Sequence, residues 1–298
     1  MSTSPQFAAP SSLTVVGSIN LDITATADRL PSPGETVGGG ILRQQPGGKG
    51  ANQAVAAARL AGTSRMVGAV GQDDAGLSLI RAMAGAGVDV RDIARVDAAT
   101  GTALVLVDSE GENQIVVCPG ANGSVALNGV SFGDGEALLC QLEVDQDLVL
   151  EAARRANGFF ALNAAPAAPI LPELLERCDL VIVNETEYEL IPALRNAPLV
   201  AVTYGGDGSA IFVDGERVAE APAVRVTDIA NTIGAGDAFC AALVLALQSG
   251  LEYGHALAVA NAVGADAVRD ASSQPALKPL DHYIEATRAA LHAGSATK

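Results

Sequence analysis

The strongest constraint on this chain is the alternation of short apolar runs with Ala-rich helical stretches, a rhythm that calls for a layered α/β fold with a mainly parallel sheet. Leu13 to Ser18 reads as an opening strand, Ala51 to Leu60 as a helix stopped by Gly62, and Arg65 to Val70 as the next strand. Further strands are expected at Ala137 to Gln141, Gly158 to Asn163, Leu180 to Asn184, Leu199 to Thr203 and Ala210 to Asp214. A helix from Ala238 follows, with Gly250 as its C-cap. Ala103 to Val107 and Gln114 to Cys118 flank a polar turn and read as a β-hairpin out of step with this rhythm, a candidate lid. No internal repeat, low-complexity tract or clear linker divides the 298 residues, so one core domain with a small β appendage is expected.

The segment Asn231-Thr232-Ile233-Gly234-Ala235-Gly236-Asp237 carries the most chemistry, because it sets a carboxylate and bare glycine backbone at a helix N-terminus. Small residues let main-chain N–H groups crowd an anion, the helix end adds partial positive charge, and the acid can take a proton. These properties suit phosphoryl transfer, although a Gly-rich loop with a capping Asp would look similar. A second glycine segment, Pro46-Gly47-Gly48-Lys49-Gly50-Ala51-Asn52-Gln53, runs into the first helix. Its order is not GxxxxGK[ST], so it suits a polyhydroxy substrate and the transferred phosphate better than a nucleotide's inner phosphates, although a plain turn leading into a helix would read the same. Asn20 and Asp22 share one side of an extended chain and suit neighbouring sugar hydroxyls or a simple turn. Glu143 is ambiguous alone, and Asn184 with Glu187 fits either a phosphate and hydrated Mg²⁺ or a capping box.

The formal charge of -16 argues against nucleic acid or an anionic membrane as partner and requires a local positive pocket for any anionic substrate. Cys118, Cys140, Cys178 and Cys240 form no CxxC pair and read as reduced, mostly buried thiols of a cytoplasmic protein. Met1 to Ser12 lacks the features of a signal peptide, and no apolar run is long enough to span a membrane. His255, His282 and His292 have no ligand spacing and read as structural or surface residues.

Taken in order, these segments resemble the ribokinases within the PfkB-type carbohydrate kinase family, from about Leu13 to Pro279. The most specific are residues 47–54 and 234–237, supported by 17–22, 33–36, 141–143, 184–187 and 203–208. The resemblance implies a Rossmann-like three-layer α/β/α fold with a small β-sheet lid, built from about 19–46 and 100–119, that often makes a homodimer contact. It implies an ATP-dependent kinase acting on a sugar, with D-ribose and its O5 hydroxyl as the leading acceptor. Asp237 would be the catalytic base, and Gly234, Ala235 and Gly236 the anion hole. Asn20, Asp22, Gly48, Lys49, Gly50, Asn52 and Glu143 would hold the sugar. Asn184, Thr203, Gly205, Gly208, Gly236 and Asn261 would hold ATP, and Glu187 would orient Mg²⁺ through water.

The same resemblance implies a K⁺ site from Asn231, Ile233, Ala267, Asp270 and Ser272. Asn231 replaces the usual Asp there, and 270–273 replaces an Arg/Lys-x-Gly segment, which leaves K⁺ activation open. The segment from Glu187 to Leu199 is also short for the family. A kinase for deoxyribose, another sugar or a nucleoside, and a non-catalytic sugar- or nucleotide-binding protein, are the alternative readings.

Overall fold

The computed structural model describes residues 13–295, with side chains through residue 290; Met1 to Ser12 and the side chain of His292 lie outside this range. The first strands are β1 (Leu13–Val16), β2 (Asn20–Thr26) and β3 (Ile41–Gly47). Helix α1 (Lys49–Ala61), β4 (Ser64–Gly71), α2 (Asp74–Gly85) and β5 (Val88–Val96) come next, then β6 (Gly101–Val107) and β7 (Asn113–Cys118). The second half holds β8 (Ala137–Gln141), α3 (Gln146–Arg155), β9 (Phe160–Asn163), α4 (Pro172–Arg177), β10 (Leu180–Asn184) and α5 (Glu185–Leu190). Strands β11 (Leu199–Thr203), β12 (Ser209–Val213) and β13 (Glu216–Ala221) precede α6 (Ala235–Gln248), α7 (Tyr253–Ala267) and α8 (Leu280–Ser295).

Nine strands form the main sheet in the order β13-β12-β11-β10-β9-β8-β1-β4-β5, parallel from β11 through β5 and antiparallel at the β12–β13 edge. Alternate residues of each central strand feed two cores. Leu13, Val15, Leu139 and Ile182 join one, and Val16, Leu138, Cys140 and Val183 the other. Both faces are therefore covered, as a buried parallel sheet requires, and the result is three layers. On one face α1 packs against α6, and alanine is the commonest buried residue of each helix, including Ala51, Ala54, Ala57 and Ala58 on α1 and Ala238, Ala241, Ala242 and Ala246 on α6. The chain leaves β1 in opposite directions to β4 and β8, which makes their shared end a topological switch point, where open α/β sheets bind ligands.

A separate four-stranded sheet, β3-β2-β6-β7, takes its strands from two excursions out of this rhythm. β6 and β7 pair antiparallel as the pattern predicts, and Asp108 closes their turn by accepting the N–H groups of Glu110 at 2.9 Å and Glu112 at 3.0 Å. β3 has no strand-like sequence, since it ends in Gln44-Gln45-Pro46-Gly47, and it is an edge strand, where a missing N–H is tolerated. Helix α6 begins three residues earlier than its apolar pattern predicts. Gly234 caps it at φ 80°, a left-handed conformation that apolar periodicity does not register.

Of the four cysteines, Cys118 is exposed and the other three are buried, with burial pushing their thiols upward in pKa. His255 bonds Thr287 at 3.0 Å and His282 packs edge-on against Tyr283, so both serve the α7–α8 region.

Candidate active site

The carboxyl ends of β1, β8, β9, β10 and β11 open into a pocket of about 640 Å³ whose opposite wall is the small sheet, through Val105, Val107, Asn113, Ile115 and Val117. Most sequence-predicted residues converge here: Asn20, Asp22, Gly48, Lys49, Asn52, Glu143, Asn184, Glu187, Thr203, Asn231, Ile233, Gly234, Gly236 and Asp237. Gly50 lies beneath the wall, where a Cβ would meet Ser18 N at 2.6 Å, so only glycine lets α1 start this close to β1. Ala235 stands in the first turn of α6 between two lining glycines.

Asp237 occupies that turn and is 8% exposed. Asn52 Nδ2 donates to its Oδ2 at 3.0 Å, and Gln53 Nε2 to its Oδ1 at 3.0 Å. Burial raises the Asp237 pKa, opposed by the Lys49 charge and these two amides. Gln53 also donates to Asn163 Oδ1 at 3.0 Å and accepts from Gln141, so both its amide hydrogens and its oxygen are engaged. Gln53 and Asn163 were not among the predicted site residues. Gln53 sits inside the glycine segment, but nothing local reveals that it and Asn163 meet an acid from residue 237.

Strand β2 starts at Asn20, so Asn20 and Asp22 do face one way. Asn122 Nδ2 donates to Asn20 Oδ1 at 2.7 Å, and the Asp22 carboxylate lies against Gly47, where a Cβ would meet it at 2.1 Å. Burial first, then the charges of Glu143 and Asp237, push the Asp22 pKa up to about 6. Glu143 accepts from the Lys49 N–H at 3.0 Å and from the Ser18 hydroxyl. Lys49 supplies positive charge to this acidic wall; burial lowers its pKa, but Asp237, Glu143 and Glu187 outweigh that and hold it raised.

On the nucleotide-like side the picture is more dispersed. Asn184 and Glu187 form a capping box at the start of α5, Asn184 Oδ1 accepting Glu187 N–H at 2.8 Å and Glu187 Oε2 accepting Asn184 N–H at 2.9 Å. This pair therefore does the structural task weighed against a ligand role, while both side chains still line the pocket. Gly205 and Gly208 lie on the turn after β11 and outside the lining. Asn261 accepts from Ser209 at 3.0 Å and donates to the carbonyls of Ala221 at 3.0 Å and Pro222 at 3.1 Å. Ala267, Asp270 and Ser272 are likewise outside the lining.

A parallel sheet with a glycine-capped helix, a buried acid and a second sheet over the pocket defines a sugar-kinase architecture. The family model of the pfkB family carbohydrate kinases matches residues 10–279, and the chain belongs to that family. Its relatives include the ribokinase of Bacillus subtilis, 34% identical over 83% of this chain and 89% of that protein. The crystal structure of a Thermotoga maritima ribokinase has a TM-score of 0.81 at 31% identity, covering 93% of this chain and 98% of the other. Arabidopsis thaliana ribokinase, solved with ribose and ATP, also has a TM-score of 0.81, at 27% identity over 92% of this chain and 98% of the other.

Proposed function

We propose that this ATP-dependent carbohydrate kinase transfers the γ-phosphoryl group to the O5 hydroxyl of D-ribose, giving D-ribose 5-phosphate and ADP. The observation that carries the reading is Asp237, a buried carboxylate held by two amides in the first turn of a glycine-capped helix. As base it takes the O5 proton, and its raised pKa suits that task. The N–H groups of Gly234, Ala235 and Gly236 have no carbonyl four residues back within the helix and can receive the charge developing on the phosphoryl oxygens. Ala235 N–H is partly engaged, by Thr232 O at 3.4 Å.

Asn20, Asp22, Asn52 and Glu143 present acceptors and donors to sugar hydroxyls beside Gly48, Lys49 and Gly50. Asn184, Thr203, Gly205, Gly208, Gly236 and Asn261 make the ATP side. A divalent metal accompanies ATP, and Mg²⁺ suits the donor set: Glu187 commits one carboxylate oxygen to Asn184, keeps the other for a hydrated ion, and few protein ligands are what Mg²⁺ usually takes. Mg²⁺ bound with the nucleotide neutralises phosphate charge. The chain forms one kinase domain, with the small sheet as lid over the sugar. Among the described residues no helix is long and apolar enough to cross a membrane, and the buried thiols support a cytoplasmic enzyme.

The test is coupled ATP turnover with ribose, deoxyribose, fructose and adenosine. Ribose-selective turnover is expected; selectivity for another acceptor replaces the substrate, and turnover with none removes the reading. Asp22 adds a pH signature. Its pKa near 6 lies above the ordinary 3.8, so the protonated form favours the free fold. That stabilising contribution is complete below pH 3.8 and is lost as pH rises toward 6. Sugar hydroxyls need the ionised carboxylate, so the ribose KM is expected to climb below pH 6, approaching roughly tenfold per unit. A flat KM between pH 7 and 5 would remove Asp22 from sugar binding.

The lid also supports a homodimer. Leu42, Leu104 and Val116, on the face of the small sheet turned away from the pocket, are all exposed, an apolar stripe that calls for cover. Light scattering is expected to give twice the 30.0 kDa chain mass, and the Leu104→Asp/Val116→Asp pair, which charges two cross-strand neighbours on the outer face of the lid, to give 30.0 kDa. A wild-type monomer would end the dimer reading.

A further inference from the structure

In the monovalent-cation site implied by the resemblance, the polar side chains are turned to main-chain partners and not to a cation. A cation needs oxygen atoms with free lone pairs turned toward it. Asn231 Oδ1 instead accepts the Ile233 N–H at 3.0 Å, and its Nδ2 donates to the Ala271 carbonyl at 3.1 Å. A backbone N–H can only donate and a carbonyl can only accept, so these two partners fix the orientation of the amide. It presents a donor to the 270–276 segment. Asp270 is also turned to the main chain of its own segment, Oδ1 accepting Ser272 N–H at 2.9 Å and Oδ2 accepting Ala276 N–H at 2.9 Å. Ser272 Oγ accepts Gln274 N–H at 3.1 Å.

The segment so closed touches the site at three places. Its Ser273 carbonyl presses on Gly234, where a Cβ would come within 2.0 Å of that oxygen. The Ser273 hydroxyl donates to Pro46 O, beside the sugar-side glycines. Gln274 Nε2 donates to Asn52 Oδ1 at 3.3 Å, and Asn52 is the residue that donates to Asp237. Arg59 fixes the far end by donating to the carbonyls of Gln274 and Pro275.

We infer that the Asn231 amide takes the place of the cation: it ties the 270–276 segment to the anion-hole turn, and phosphoryl transfer in this protein is independent of K⁺. An Asp at 231 would set a carboxylate oxygen against the Ala271 carbonyl, two acceptors at hydrogen-bond distance, and a cation between them would relieve the repulsion. Asn231 is thus a positioning residue, acting through the segment on Gly234 and Asn52. The inference rests on the kinase reading for its rate measurement but not for its binding measurement.

The experiment compares ribose turnover in KCl and in tetramethylammonium chloride at equal ionic strength, with ²⁰⁵Tl⁺ line broadening by the protein as a K⁺ probe independent of activity. Wild type is expected to give rates within about twofold of each other and no site-specific Tl⁺ broadening. Asn231→Asp is expected to become K⁺-dependent, stimulated about tenfold or more, and to broaden Tl⁺. Asn231→Ala is expected to lose kcat about tenfold with a smaller rise in the ribose KM through Asn52 and no rescue by K⁺, at an unchanged fraction of folded protein by circular dichroism, a combination that a general loss of folding would not give. Saturable stimulation of wild type by K⁺, or Tl⁺ bound by wild type, would overturn the inference. Turnover with no sugar would overturn the kinase reading alone, and the Tl⁺ measurement on wild type would still decide this one.

Discussion

Asp237→Asn is expected to lower kcat by about two to four orders of magnitude while ribose still binds, because it removes the proton acceptor and little else. The replacement is nearly isosteric in a site 8% exposed. Its new NH₂ group must face one of two present donors, Asn52 Nδ2 or Gln53 Nε2. Gln53 cannot turn over without breaking its contacts to Asn163 and Gln141, whereas Asn52 can turn at the expense of a single 3.3 Å bond from Gln274. The substituted NH₂ therefore meets Asn52, whose amide turns over within the sugar wall, while Asn20, Asp22 and Glu143 keep their places, so ribose is expected to bind somewhat more weakly but still measurably. Calorimetric ribose binding alongside steady-state rates reads both halves of the expectation. Unchanged turnover would end the assignment of Asp237 as base.

Gly234→Ala is the second large effect, and its origin is steric. The residue sits at φ 80°, which disfavours any side chain, and a Cβ would lie 2.0 Å from the Ser273 carbonyl oxygen. The obstacle is main chain held by Asn231 and Arg59, so it cannot swing aside as a long side chain would. A loss of roughly 2–4 kcal/mol in stability is expected, with kcat reduced about a hundredfold or more as the anion-hole turn is displaced. Gly236→Ala is the control for stability: its Cβ would meet nothing within 4 Å, so thermal unfolding should barely move. Equal melting temperatures for the two variants would contradict this account of the turn.

How much of this was legible in the sequence depended on how local each signal was. Strands such as Ala137–Gln141 and Leu180–Asn184 declare themselves, because a strand buried on both faces must be apolar throughout. Asn20 and Asp22 could be placed on one side by alternation alone. The start of α6 could not be read from apolar periodicity, since a left-handed glycine rather than a side-chain cap opens it. Strand β3 carries no strand signal of its own, because its residues suit a loop, and only the family resemblance puts 19–46 in a lid sheet; its pairing with β2 comes from the sheet rather than from propensity. Asn184 and Glu187 were seen as a possible capping box, and the bonds of that box are present. The residues that hold Asp237 were the least legible. Gln53 is 184 positions away and Asn163 reaches it only through Gln53, so the network exists only after α1, β9 and α6 have packed.

The alanine-rich buried surfaces of α1 and α6 bear on the thermodynamics of this acid. Asn52 and Gln53 ride on one helix and Asp237 on the other. An alanine methyl has no rotamers to freeze, so where alanine supplies the packing the two helices come together with little side-chain entropy lost. The conformational entropy of placing the carboxylate is accordingly surrendered once, when the chain folds, and is not demanded again each time a sugar arrives.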